Sequence, residues 1–242
     1  MSVNPTLTSL LQVAFLELRN GRSPSSAVLS LLLSKGLGVG ILAFSFVVKV
    51  PQILALNKSH SADGLSPISF ELEQLGLSIH TAYGFLMNLP FNTFGEALII
   101  LVQNTILLYQ IYQYKPLPSW RPALGVALTA IGVSLCYYGY VSTIYIGLAY
   151  EFNNVIFTAA RLPQIWQNYQ NKSTGQLSSA TYIANFLGCL ARIFTSYKEG
   201  GGLSMIRAYC LGGVLNGTIM LQIFYYGAKG KKRRPVKRRK AI

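Results

Sequence analysis

Long apolar runs separated by short polar breaks dominate this chain. Seven of them reach roughly 20 residues, the length that spans a bilayer core: 34–56, 68–88, 94–114, 121–141, 143–167, 178–197 and 204–227. The fourth and fifth abut with almost no linker, so six spans is the alternative count. The pattern predicts an all-α polytopic membrane protein with seven transmembrane helices. A shorter apolar stretch, 7–18, cannot span and predicts an interfacial helix. The first residues lack a basic region followed by a small-residue cleavage site, so no cleaved signal peptide is read there.

The runs are not independent of one another. Shifted by 112 residues, the sequence falls on itself: Lys49, Pro51, Gln52 and Ile53 on Arg161, Pro163, Gln164 and Ile165. In the same register Ser61, Leu65 and Ser66 fall on Ser173, Leu177 and Ser178, and Leu75-Gly76 on Leu187-Gly188. Asn104 falls on Asn216, and Gln110-Ile111 on Gln222-Ile223. So many matches without a gap indicate a duplication of a three-helix unit. An odd number of spans would invert the second copy, and a single linker helix restores its orientation. The predicted arrangement is 3+1+3, two parallel triple-helix repeats. Its boundaries are an N-terminal segment 1–33, a first repeat 34–114, a linker helix 115–141, a second repeat 142–227 and a basic tail 228–242.

Composition agrees with a membrane protein. Apolar residues make up 51% of the chain and charged residues 12%, about half the charged share usual in a soluble domain. Of the formal net charge of +14, nine positive charges sit in the last fourteen residues. Lys and Arg in short loops mark the cytosolic side. Lys58, Lys115, Arg121, Lys172 and the tail all fall on one side of a seven-span chain. The N-terminus is therefore expected in the lumen and the C-terminus in the cytosol, where the tail can face anionic lipid. Nucleic acid is an unsuitable partner for a tail tethered to seven spans.

The Pro-Gln pairs predict hinges at Pro51, Gln52, Pro163 and Gln164. Proline cannot donate to the carbonyl four residues earlier, which here would free Val47 and Ala159 and bend both helices. Ionisable and amide side chains inside spans are functional candidates. A cavity between the repeats is expected to use Asn104, Asn216, Gln110, Gln222, Glu151, Arg192 and His80. Asparagine can equally serve as glue between helices, and Glu151 can pair with Arg161 or Arg192. Glu71, Glu73 and Glu96 begin spans, where acids suit helix N-termini. Cys136, Cys189 and Cys210 have no metal spacing and read as free buried thiols. No nucleophile motif, phosphate loop or metal cluster is legible, so neither an enzyme nor a cofactor is expected.

The duplicated Pro-Gln motif and the 3+1+3 plan resemble the PQ-loop superfamily, shared with the sugar-permeating SWEET proteins. Longer strings are similar to the mannose-phosphate-dolichol utilisation defect family: LLLSKGLGVGI (31–41), KVPQI (49–53), SADGLSP (61–67), FGEAL (94–98), TGQLS (174–178) and LARIFTS (190–196). The resemblance implies a multi-pass endoplasmic reticulum protein needed for lumenal use of dolichol-phosphate-mannose and its glucose analogue. That use feeds N-glycosylation, GPI-anchor synthesis and protein mannosylation. It leaves open whether the lipid-linked sugar is moved or presented. Dolichol-phosphate sugars, membrane lipids and the reticulum's glycosyltransferases are the implied partners. A scaffold for those transferases, and a small-solute transporter of the SWEET or cystine type, are the alternatives. By the same resemblance Asn104 and Asn216 match the paired pocket asparagines of SWEET proteins.

Overall fold

The computed structural model describes residues 5–62, 65–115, 118, 120–159, 161–174 and 179–232. Asp63, Leu177, Ser178 and the tail from 233 onward lie outside the described residues. Ten helices are present among the rest: α1 Leu7–Arg19, α2 Ser26–Ser45, α3 Val50–Ser59, α4 Pro67–Leu86, α5 Phe91–Tyr114, α6 Trp120–Tyr137, α7 Thr143–Ala159, α8 Leu162–Asn171, α9 Ser179–Glu199 and α10 Leu203–Lys232.

Each start and stop has a local cause. Thr6, Ser25 and Ser66 cap α1, α2 and α4 by accepting backbone N–H bonds from Ser9, Val28 and Ser69. Pro67 occupies the first turn of α4, where its missing N–H costs nothing. The fourth and fifth apolar runs are separate helices, α6 and α7. Between them Gly139 takes φ +74, a left-handed turn that glycine adopts without strain.

Among the described residues, three stretches are apolar enough by length and composition to cross a membrane: Ser26–Ser59, Phe91–Tyr114 and Leu203–Tyr226. Large apolar side chains such as Tyr109, Val126, Leu128 and Phe224 point outward while amides and charges are buried. That inverted distribution suits a lipid surround.

The chain forms two compact units: Met1–Asn153 with Phe194–Gly202, and Asn154–Ile193 with Leu203–Ile242. In the first, α4 and α5 pack closely because Gly84 of α4 admits the Phe94 ring of α5; a Cβ at Gly84 would overlap that ring. Leu56, Ala62, Phe70, Leu107, Leu108 and Ile111 form its apolar core at the α3 end. In the second, Gly212 and Gly213 of α10 meet Cys189 of α9, and Gly217 meets Phe186. Small residues bring these two helices together.

The duplication reaches the backbone. α3 and α8 have the same bounds 112 residues apart, and both end in a left-handed non-glycine residue, His60 at φ 49 and Lys172 at φ 48. The Gln110 side chain donates to the Ile53 carbonyl at 3.4 Å, and Gln222 donates to the Ile165 carbonyl at 3.0 Å.

Candidate functional site

Around the first Pro-Gln pair, the helix breaks before the proline rather than at it. α2 stops at Ser45, and Pro51 is the second residue of α3, where no N–H is required. The Val47 carbonyl, expected to be freed, accepts from the Val50 N–H at 3.3 Å. The interrupted pair is instead the Ser45 carbonyl and the Lys49 N–H. The Gln103 side chain spans that gap from α5: its amide donates to Ser45 O at 2.7 Å, and its oxygen accepts from Lys49 N at 2.9 Å. Gln52, the neighbour of the proline, has no part in the bridge. Pro163 is likewise the second residue of α8, and Gln164 donates to Asn168 within that helix at 2.8 Å.

The same break orients a charge. Lys49 Nζ donates to Glu73 Oε2 at 2.7 Å and to Asn104 Oδ1 at 2.9 Å, and lies 5.3 Å from the centre of the Phe70 ring. Asn104 is held from behind, its amide donating to the Phe70 carbonyl at 3.0 Å and to Gln74 Oε1 at 2.9 Å. Gln74 in turn donates to Thr105 at 2.8 Å. Buried amides thus fix the oxygen that receives the lysine. Glu73, read from sequence as a helix-start acid, is an ionic partner. Glu71 is one too: Arg121 grips it with two bonds of 2.8 and 2.9 Å, and the Tyr112 hydroxyl donates to it at 2.9 Å.

A second buried pair joins Lys35 of α2 to Glu199 at the end of α9, 3.1 Å apart, with the Ser34 hydroxyl donating to the same carboxylate at 3.3 Å. The Glu199 side chain is 1% exposed.

The remaining candidates are spread over both units. In the first, His80 meets the edge of Tyr150, whose ring stacks on Tyr83 at 4.2 Å, and Glu151 is half-buried on α7. Gln110 braces α3. In the second, Asn216 donates to the Gly212 carbonyl at 2.9 Å and to the Cys189 sulfur at 3.8 Å. Gln222 accepts from Asn168 at 2.9 Å. Arg192 is buried on α9, 3% exposed. Lys35, Gln103 and Asn168 were missed from sequence. Lys35 carried the one available signal, a cation inside an apolar run. Among the described residues no cluster of His, Cys, Asp or Glu is arranged to hold a metal.

The model of the PQ loop repeat matches residues 33–93 and 152–205, one segment in each predicted repeat. The human protein solute carrier family 66 member 3 is 24% identical over 179 residues, covering 74% of this chain and 87% of that protein. Among solved structures, a eukaryotic SWEET transporter is similar with a TM-score of 0.65 and 13% identity, over 81% of this chain and 98% of that one. At that identity the likeness is one of fold. The chain thus combines helices apolar enough to cross a membrane with two segments that match the PQ loop repeat model.

Proposed function

We propose that this protein works in the endoplasmic reticulum membrane on dolichol-phosphate-mannose and dolichol-phosphate-glucose, moving or presenting the lipid-linked sugar for lumenal glycosylation. The observation that carries the reading is Arg192. It lies in the string LARIFTS, one of those similar to the mannose-phosphate-dolichol utilisation defect family, and its guanidinium is buried in a helix of a membrane protein. A guanidinium suits a phosphate through paired, charge-assisted hydrogen bonds, and Arg192 places one within a string similar to that family. In this reading the 3+1+3 plan holds, and the chain runs from a lumenal N-terminus to a cytosolic C-terminus.

The test is made in cells. Removing the chain should leave cytosolic synthesis of dolichol-phosphate-mannose unchanged while lumenal mannosylation falls. Unchanged lumenal mannosylation would count against the proposal.

A second reading, a small-solute transporter, is favoured by the solute-carrier relative and the SWEET-like fold. Flux of free mannose or glucose through vesicles containing the protein would select it.

A further inference from the structure

Among the described residues of the first unit, two buried lysines pair with glutamates, and the pairs differ in one respect that matters. In Lys35–Glu199 both side chains are covered, 11% and 1% exposed. In Lys49–Glu73 the lysine is covered at 10%, but the glutamate is 36% exposed. The first pair is sealed; the second has one partner that can leave.

If Glu73 swings away, Lys49 does not collapse with it. Its ammonium keeps the Asn104 oxygen, which the Phe70 carbonyl and Gln74 hold in place, and it keeps the face of the Phe70 ring. Its backbone N–H stays tied to Gln103. What opens is the direction that the carboxylate filled, leaving a fixed ammonium with a donor to offer. An ammonium in a membrane protein cannot be left without a counter-charge. Whatever displaces Glu73 must therefore bring an anionic oxygen of its own.

We infer that Lys49 is an exchangeable anion site, occupied by Glu73 at rest and by a phosphate-bearing ligand when one is bound. The glutamate is an internal competitor, so phosphate entry and Glu73 departure are one event. The choice of phosphate rests on the lipid-linked sugar reading above, in which the cargo carries that group. The second repeat is built differently at these positions: Arg161 stands at the position of Lys49 and Asn185 at that of Glu73. An internal carboxylate competitor at this position is thus a property of the first repeat alone.

The test is equilibrium binding to purified full-length protein in nanodiscs, with farnesyl phosphate and inorganic phosphate as probes and thermal unfolding as a check on folding. Glu73→Gln keeps a neutral hydrogen bond to Lys49 and removes the competing charge, so farnesyl phosphate should bind more tightly, by about tenfold. Lys49→Met should weaken it by about tenfold or more, the range of a lost hydrogen bond to a charged group. Lys49→Arg should retain binding, which separates lost charge from lost structure. A merely structural pair would weaken in both Glu73→Gln and Lys49→Met. Weaker or unchanged binding in Glu73→Gln, or unchanged binding in Lys49→Met, overturns the inference. Responses with farnesyl phosphate alone assign the site to a lipid headgroup, and equal responses with inorganic phosphate assign it to the free anion. Binding that follows this pattern without any transbilayer movement keeps the site and removes the moving role.

Discussion

At the scale of single residues, the strongest constraints are a missing side chain and a sealed charge. Gly84 sits where a Cβ would enter the buried Phe94 ring, so Gly84→Ala should cost about 1–3 kcal/mol through overpacking. Gly147→Ala, with nothing within 4 Å of its Cβ, should be near neutral. Thermal unfolding in detergent compares them directly, and equal midpoints would refute the packing argument. For the sealed pair, Glu199→Gln leaves the Lys35 charge buried without its carboxylate. Such a loss costs about 3–5 kcal/mol. The double change Lys35→Met/Glu199→Leu should recover most of that, because replacing both charges leaves none uncompensated; a double-mutant cycle measures the recovery. A double variant no more stable than the single one would contradict this reading.

At the scale of elements, the two Pro-Gln helices match in outline and differ in their bracing. α3 and α8 share bounds, left-handed ends and a glutamine brace from the second helix after each, α5 and α10. The Gln103 bridge belongs to the first repeat, because the residue 112 positions later is Leu215, which has no amide to offer. Position 56 is a core leucine in the first repeat, whereas Asn168 stands at its equivalent and bonds Gln222. Gln103→Leu should therefore leave the Ser45 carbonyl and Lys49 N–H unbridged, at a cost of about 1–3 kcal/mol. Faster hydrogen exchange at the Lys49 amide would report it; unchanged exchange would mean the bridge does nothing. The helices and the duplication were legible because apolar run length and a constant register survive in one dimension. The Gln103 bridge was not, since a glutamine in an apolar helix does not announce which distant carbonyl it meets. Nor was the Lys49–Glu73 pair, whose partners are 24 residues apart, one in the break before α3 and the other on α4. Proline drew the eye to position 51, while the break it permits lies at 46–49.

At the scale of the whole molecule, orientation and cargo each have a direct test. Asn57-Lys58-Ser59 and Asn171-Lys172-Ser173 are both glycosylation sequons, at exposed, equivalent ends of α3 and α8. With the C-terminus in the cytosol both must remain unmodified, and an enzyme-sensitive mass shift at either would reverse the topology. Cargo is decided by transbilayer movement of dolichol-phosphate-mannose in defined vesicles containing the purified protein, with free mannose as the comparison. The account predicts that wild-type protein accelerates the lipid-linked sugar well above protein-free vesicles. It also predicts that Asn104→Ala, which removes the oxygen that receives Lys49, loses most of that acceleration, while free mannose is unaffected throughout. Movement of free mannose with no acceleration of the lipid-linked sugar would contradict it.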